Sequence, residues 1–320
     1  MLDDPIRAFD DAVGLVGGEL LLPVLYAAGL MAYEDDAHRW LSFVALGALH
    51  VAVVYAVCRP LEAWRPVEPP PKGAAGRGAV RTDVVYSLVA PLGLLPLLAF
   101  ALLHLVEAPL GGFLADRGWV PPTLETLLPA LRDRPFVAFL LYVAVLDLGE
   151  YWRHRLQHMI PWWWALHSVH HGQRHMTFWT DDRNHVLDDV IGALWIAGLA
   201  MLVGVPPGQF PLVALVLRLS QGLSHANARI QFGRVGERLL VSPRFHRVHH
   251  GVGSVERQGV NYAVLLPVWD VLFRTADFRR DHYPPTGDPE GPEALATGGW
   301  WAQQVAGARR LWEALRGRRA

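Results

Sequence analysis

The chain has very little cysteine: Cys58 is the only one among 320 residues. A single thiol cannot build a disulfide framework. It also cannot supply the several cysteine ligands of a structural zinc site or of a protein-held iron–sulfur cluster. Any metal chemistry must therefore depend on histidine, with carboxylates as helpers.

Charged residues are also scarce. They make up 18% of the chain, and 52% is hydrophobic, whereas a typical soluble domain is about a quarter charged. The net charge is −1 with histidine neutral, which argues against the basic surface of a nucleic-acid-binding protein. No repeat of roughly 20–50 residues appears, so solenoids and propellers are not expected. The acidic first residues predict mature sequence, because a secretory signal would begin with basic residues.

Six apolar runs account for the low charge. The longer ones approach the roughly 20 residues that span a bilayer, and Pro206 and Pro207 join the last two into a predicted tight hairpin. The acidic residues 34–36 and the Pro/Gly-rich residues 66–78 are predicted to be a loop and a linker. The sequence therefore predicts an all-α integral membrane bundle of about four to six membrane helices. The runs are Leu15–Tyr33, Leu41–Cys58, Val84–Val106, Phe136–Tyr151, Val190–Val205 and Phe210–Leu223.

Loop charges predict the orientation of this bundle. The loop at 59–81 holds five Lys or Arg against two Glu, so the positive-inside rule places it in the cytoplasm. Counting helices forward places the ends of the fourth and sixth runs there too. The Ala/Arg/Gly-rich composition is typical of bacteria, so the expected location is the bacterial inner membrane with the histidine-rich segments on the cytoplasmic side.

Most of the 15 histidines fall into short groups near the ends of those runs. At helical spacing, His154 and His158 share one face, because residues four apart lie one above the other. Two H-x-x-H-H groups follow at 167–171 and 246–250, with His185 and His225 between them. Imidazole suits iron, zinc, copper and nickel, so this pattern predicts metal ligation.

Carboxylates accompany several of these histidines. Asp147 and Glu150 lie on the face of the fourth run that continues to His154, and we expect them to accept hydrogen bonds from ligand rings. The pairs His185 with Asp188 and Asp189, and His225 with Gln221, repeat this spacing. Asp188 and Asp189 could instead stabilise the start of the fifth helix.

Two tryptophan-rich segments each have two interpretations. The run at 162–164 favours an aromatic belt at the membrane interface over a pocket wall. The helix predicted near 300–319 combines tryptophans with arginines. It could lie on the cytoplasmic leaflet as an amphipathic helix or pack on the catalytic region.

The ordered histidine motifs resemble the fatty acid hydroxylase/sterol desaturase superfamily of membrane di-iron oxygenases. The resemblance covers roughly residues 135–280, between N-terminal membrane helices at 1–134 and a C-terminal tail at 281–320. R-N-H-V-L-D-D at 183–189 departs from the more usual R-x-H-P-x-E. The motifs are H-R-L-Q-H at 154–158, H-S-V-H-H at 167–171, R-N-H at 183–185, S-H-A-N at 224–227, H-R-V-H-H at 246–250 and N-Y-A-V-L-L-P-V-W-D-V-L-F-R-T at 261–275.

The resemblance implies a cytoplasmic-facing helical cap with a dinuclear site of two iron ions, zinc being possible on overexpression. Dioxygen would be the co-substrate, and Asp147 and Glu150 would support the ligands. The implied ligands are His154, His158, His167, His170, His171, His225, His246, His249 and His250, with His185 as a possible tenth.

The activity that the resemblance implies is hydroxylation or desaturation of a lipid C–H bond. Sterol, fatty acyl, sphingoid and related lipids all remain open. The chain shows no nucleotide-binding glycine motif, cysteine cluster or haem domain, so electrons would come from a b-type cytochrome or a ferredoxin with its reductase. The alternatives are a zinc-dependent membrane hydrolase and a non-catalytic metal-binding membrane protein.

Overall fold

The computed structural model describes residues 3–90, 112–113, 116–118, 122–206, 210–253 and 259–318. Within these ranges every regular element is a helix, which confirms the all-α prediction. A π-helical turn, Gly17–Leu21, joins the first two helices. In chain order the helices are α1 (Asp3–Val16), α2 (Leu22–Ala28), α3 (Glu34–Trp64), α4 (Gly73–Val89), α5 (Leu124–Leu127), α6 (Pro135–Met159), α7 (Pro161–His171), α8 (Val186–Val203), α9 (Phe210–His225), α10 (Gly233–Leu239), α11 (Pro243–His249), α12 (Val268–Leu272), α13 (Glu293–Thr297) and α14 (Trp300–Leu315).

Four described stretches are long and apolar enough to cross a membrane, and they indicate an integral membrane protein. They contain the second and fourth apolar runs and overlap most of the first and fifth. The sixth run forms α9, whose 16 residues fall short of the roughly 20 that a bilayer requires. Residues 91–106 of the third run and residues 207–209 of the predicted hairpin lie outside the described residues. The four stretches are Phe9–Ala28, Met31–Trp64, Pro135–Met159 and Val186–Val203.

Two segments predicted to be irregular are helical. The acidic residues Glu34, Asp35 and Asp36 form the first turn of α3, where carboxylates are favoured because the helix dipole leaves partial positive charge at the N-terminus. The predicted linker at 66–78 is shorter than expected, since α4 begins at Gly73. Both predictions were wrong because acidic residues and alanines at a helix start resemble a polar loop in sequence.

A sharp turn between α6 and α7 directs the histidine-bearing helices. Ile160 is extended, with φ −98° and ψ 116°, and Pro161 opens α7. Proline disfavours helical geometry in the residue before it, and it fits the first helical position because no N–H is needed there. As a result α7 packs against α6, and the histidines at 154 and 158 come close to those at 167–171.

A buried ion pair ties α4 to the histidine-bearing region. Asp83 is fully buried and accepts hydrogen bonds from Arg183 Nη1 and Gln173 Nε2, both at 2.6 Å, and from Thr180 Oγ1 at 3.0 Å. Arg183 also donates from Nε to Val169 O at 2.9 Å. These contacts run across the domain boundary predicted between residues 134 and 135.

Two glutamates near the end of α3 make similar connections. Glu62 Oε1 accepts the backbone N–H groups of Phe178 at 3.0 Å and Asn227 at 2.9 Å. Glu68 pairs with the buried guanidinium of Arg247, which lies between two histidines of α11. The segment after the second membrane-spanning stretch therefore helps to position the histidines at 246–250.

Replacing Arg183 with Met should lower the free energy of unfolding by about 3–5 kcal/mol, because the Asp83 carboxylate would remain buried without its cation. Denaturation in detergent, followed by circular dichroism, measures the change. The double variant Asp83→Asn/Arg183→Met should recover part of the loss. Arg279→Met, which breaks the exposed pair with Asp277, should cost at most about 1 kcal/mol. Equal losses for the two single variants would contradict the assignment.

The C-terminal helix packs on the histidine-bearing region, the second of its two predicted positions. Gln304 of α14 is buried and donates to Asn184 O at 3.0 Å and to Tyr86 Oη at 2.9 Å. Trp301 and Trp312 are exposed on its other face. The helix thus covers one side of the polypeptide that leads into α8.

Candidate metal centre

Nine histidine rings converge where α6 leads into α7, in two adjoining groups. Within each group, one ring nitrogen from every histidine lies within 4.8 Å of those of the others. His158 is partly exposed, and the other eight rings are buried. The first group is His154, His158, His167, His171 and His249, and the second is His170, His225, His246 and His250.

Helical spacing explains how four helices supply these rings. α6 carries two of them one turn apart, α7 carries three, α9 ends at His225, and α11 carries His246 and His249, with His250 directly after it. α11 starts where Ser242 Oγ accepts the N–H of Phe245 at 3.1 Å and Pro243 fills the first turn. This start is a well-formed N-cap, and it fixes the direction of His246, His249 and His250.

Five of the rings are fixed through their Nδ1 atoms. A carbonyl or carboxylate oxygen accepts a hydrogen bond from each, so Nδ1 carries the proton and Nε2 keeps its lone pair. The acceptors are Tyr262 O for His154 (2.9 Å), Asp188 Oδ2 for His167 (3.2 Å), Arg183 O for His170 (3.3 Å), Gln221 O for His225 (2.8 Å) and Val260 O for His249 (2.8 Å).

Lone pairs therefore face each other in the second group. Nε2 of His225 lies 3.0 Å from Nε2 of His170 and 2.9 Å from Nε2 of His246. Since His170 and His225 both donate through Nδ1, neither has an Nε2 proton to place between the two atoms. Two lone pairs at this distance repel each other unless a cation lies between them. A metal ion bound by both nitrogens removes the repulsion.

The first group has the same character. Nε2 of His154, His158 and His167 is buried and has no hydrogen-bond partner in the described part of the chain. Nε2 of His171 lies 3.1 Å from Nε2 of His249. Buried polar atoms are normally hydrogen-bonded, so the unsatisfied Nε2 atoms of His154, His158 and His167 fit a transition-metal ion, for which imidazole is a preferred ligand.

Burial keeps these rings neutral. It lowers the pKa of His170, His171, His246 and His250 well below the ordinary value, because it penalises the charged form, and neighbouring imidazoles lower each pKa further. Burial likewise lowers the pKa of His249 to about 3. Metals bind the neutral ring, so the centre presents ligands in the required form near pH 7.

Asp188 of α8 is the carboxylate that supports a candidate ligand directly. Besides His167 it accepts Trp163 Nε1 at 2.8 Å and Gln157 Nε2 at 2.9 Å. A carboxylate behind a ligand histidine fixes its tautomer and strengthens its binding nitrogen. The sequence analysis paired Asp188 with His185, but the structure places this carboxylate behind His167.

Asp147 and Glu150 lie elsewhere than predicted. Asp147 accepts the backbone N–H groups of residues 265 and 266, both at 2.9 Å, and Trp269 Nε1 at 2.8 Å. Glu150 forms an ion pair with Arg153 at 2.6 Å. Neither carboxylate accepts a hydrogen bond from a histidine in the described residues, because a backbone carbonyl occupies the expected place next to the first ring of α6.

His185, the tentative tenth ligand, lies outside both groups. Its Nδ1 accepts the N–H of Leu187 at 3.2 Å, which makes it the N-cap of α8, and its Nε2 donates to Gln304 O at 3.0 Å. Both ring nitrogens are therefore engaged. The structure assigns His185 to the start of a helix, and the ligand set proposed below leaves it out.

The tryptophans after Pro161 form part of the wall of the centre. Trp163 is buried, and the ring centre of Trp164 lies 5.0 Å from that of His158 and 5.3 Å from that of His171. The expectation of an interfacial belt was wrong for these two residues, because the turn at Pro161 directs them towards α6 and α8.

Sequence reasoning missed the backbone acceptors. The carbonyls of Arg183, Val260 and Tyr262 orient three rings, and no side-chain pattern identifies a carbonyl. Asp270 holds the loop that supplies one of them, by accepting the N–H groups of Tyr262 and Ala263, both at 2.9 Å. The motif at 261–275 was the available signal: of its two interpretations, lining the site and packing a helix against the histidines, packing was favoured.

The fold and the site together define a class: helical membrane proteins with a buried metal centre built from histidine. Residues 139–275 match the family model described as fatty acid hydroxylase. This match and the curated relatives confirm the resemblance to the fatty acid hydroxylase superfamily.

Curated relatives agree with this resemblance. Alkylglycerol monooxygenase of Danio rerio is 32% identical over 145 residues, covering 45% of this chain and 31% of the relative. That of Homo sapiens is 31% identical over the same shares. Ornithine lipid hydroxylase OlsE of Rhizobium tropici is 24% identical over 266 residues, covering 80% of this chain and 74% of the relative. The chain thus matches about a third of the length of the first two relatives. No solved structure matches.

Proposed function

We propose that this chain is a membrane-bound di-iron oxygenase that hydroxylates a C–H bond of a lipid. The observation that carries the proposal is the pair of adjoining histidine groups, in which ring nitrogens with free lone pairs face one another. Five and four imidazoles suit two ions and leave positions open for other ligands. The proposed ligands are the nine histidines of these groups.

Hydroxylation is favoured over desaturation by the relatives. Their printed names describe a monooxygenase of alkylglycerols and a hydroxylase of an ornithine lipid. Both names describe lipids with a polar head, so we propose a polar membrane lipid as the substrate. The acyl or alkyl chain would then enter the site sideways from the bilayer.

The overall reaction converts C–H, O2, two electrons and two protons into C–OH and water. Bound iron would supply the redox and O2 chemistry. The electrons would come from a separate donor, a b-type cytochrome or a ferredoxin with its reductase. By the excess of Lys and Arg among residues 59–81, the site and its donor would lie on the cytoplasmic side of a bacterial inner membrane.

The residues of the chain would act by holding the ligands and balancing charge. Four carbonyls and Asp188 fix the ring orientations, so little reorganisation is needed when metal binds. Nine neutral imidazoles leave the charge of two metal ions uncompensated. Asp188 places negative charge directly behind His167, and the carboxyl group of Asp181 lies beside His225, with its Oδ1 3.4 Å from His225 Nδ1. Trp164 and the buried Tyr262 cover the first group and restrict water.

Metal content and isotope labelling test the proposal together. Protein purified anaerobically from iron-supplemented cells should contain about two metal ions per chain, mostly iron. With a reductant and membrane lipid, it should place one atom of 18O2 in the product. Because all-nitrogen sites prefer zinc to ferrous iron, zinc-filled protein should regain activity after exchange to iron. Turnover that persists without O2, or ester hydrolysis by the zinc form, would contradict the oxygenase and favour the hydrolase.

A further inference from the structure

The short helix α10 presents two parallel stripes to the exterior. Val235 and Leu239 are exposed over 72% and 60% of their surface, and they lie one turn apart. Arg234 and Arg238, also one turn apart, form the neighbouring stripe. An aliphatic stripe beside a cationic one is typical of a helix that lies in the membrane interface.

The position of α10 relative to the membrane follows from the loop at 262–266, which runs along α6 towards the middle of that helix. Tyr262 O bonds to His154, and the N–H groups of residues 265 and 266 bond to Asp147. Asp147 is about 10 Å nearer the middle of this membrane-spanning helix, at 1.5 Å per residue. α12 follows at the bottom of the loop, and its outward side chains are apolar and exposed: Val268, Val271 and Leu272.

The end of α10 lies at the same height along α6 as Asp147. The N–H of Val241 donates to Leu265 O at 2.9 Å, so the end of α10 lies beside the segment that contacts Asp147. Leu240 is exposed there as well. The exposed aliphatic side chains of α10 and α12 therefore flank one contact and are close enough to form one aliphatic surface. We call it the α10–α12 surface.

An arginine-rich cavity borders this surface. Its volume is about 180 Å³, and its lining includes Gln231, Arg234, Glu237, Arg238, Arg244 and Arg280. The one carboxylate among these six residues, Glu237, is already engaged, since it accepts Ser242 Oγ at 2.5 Å and pairs with the buried Arg244.

Three of the cavity's guanidinium groups form no ion pair with a described carboxylate. Among the described residues, the ion pairs here are Arg244 with Glu237 and Arg279 with Asp277. Neither uses Arg234, Arg238 or Arg280. Arg238 lies over the ring of Phe278 at 4.9 Å, which orients the group without neutralising it. Such a site attracts an anion.

We propose that this cavity binds the phosphate of an anionic phospholipid whose acyl chains cover the α10–α12 surface. Guanidinium groups match phosphate oxygens with paired hydrogen bonds, and the neighbouring aliphatic surface distinguishes a lipid from a free anion. Arg244 belongs to α11, the helix that carries His246 and His249, so the bound lipid also steadies that helix. This inference does not depend on the reaction that the metal centre performs.

The test compares an arginine variant with a matched control. Arg234→Gln/Arg280→Gln removes two cavity charges, whereas Arg309→Gln/Arg316→Gln removes two exposed charges from α14. In neutral detergent, phosphatidylglycerol should raise the Tm of the natural protein and of the control by about 5 °C relative to phosphatidylcholine. The cavity variant should show less than a third of that shift. Native mass spectrometry should show one fewer retained phosphatidylglycerol on the variant.

Three results would overturn the proposal. One is an equal Tm shift in the natural protein and the cavity variant. The second is the full shift produced by inorganic phosphate alone, which would indicate a site for soluble anions. The third is arginine-dependent binding of an acidic redox protein with no lipid effect, which would assign the surface to a protein partner. If the double variant fails to fold, Arg280→Gln alone, outside any helix, gives the same comparison.

Discussion

Replacing His225 with Ala should reduce bound metal from about two ions per chain to about one and should lower lipid hydroxylation by more than about 100-fold. The residue belongs to the smaller group of four, and its Nε2 lies between those of His170 and His246. Loss of a residue that only orients a ligand costs about 10–100-fold in metal affinity or activity. Removal of a ligand itself should cost more. Metal analysis and turnover of the same preparation measure both effects.

His185→Asn is the matched control for this experiment. Asn is a good N-cap residue, so the variant should keep the start of α8, its full metal content and most of its activity. The comparison separates the nine grouped rings from the tenth histidine that the sequence suggested. If His185→Asn lost metal as His225→Ala does, the ligand set proposed here would be wrong.

Asp188→Asn should weaken metal binding by about 10–100-fold and also destabilise the protein. Asp188 is buried and accepts hydrogen bonds from His167, Trp163 and Gln157. An amide would direct its own N–H groups at these donors, and each unsatisfied buried group costs about 1–3 kcal/mol. Chelator competition measures the affinity, and thermal unfolding of metal-free protein measures the structural part separately.

Asp189→Asn provides the comparison at the next residue of α8. Asp189 is partly exposed and belongs to neither histidine group, so the variant should retain its metal affinity. A loss of affinity as large as that of Asp188→Asn would mean that the acidic pair acts through overall charge. The specific bond to His167 would then not be the cause.

Residue type and spacing were sufficient to predict the membrane helices and the histidine set. Apolar length identified four spanning stretches, because hydropathy depends on composition alone. Helical spacing identified the rings, since i,i+3 and i,i+4 neighbours share a face. The supporting groups were harder to predict. Asp147 was assigned to a histidine by that same rule, yet it bonds to a loop more than a hundred residues later in the chain.

The errors share a physical cause, which is competition from distant chain segments. The resemblance implied His185 as a possible tenth ligand, but the C-terminal helix supplies Gln304 O, which engages its ring. The tryptophans at 162–164 fit an interface by composition, but Pro161 redirects them. Backbone carbonyls that orient the ligands leave no trace in residue identity. Long-range packing therefore decides which polar group meets which ring.

The carboxylates of Glu62, Glu68 and Asp83 have a consequence for building hybrids between this chain and its relatives. Sequence similarity to the alkylglycerol monooxygenases covers 45% of this chain, which invites exchange of the histidine-bearing region alone. Such a graft would leave Arg183 and Arg247 buried without their counter-charges. A functional exchange should therefore move the segment from the end of α3 through α4 together with the histidine helices, as one inherited unit.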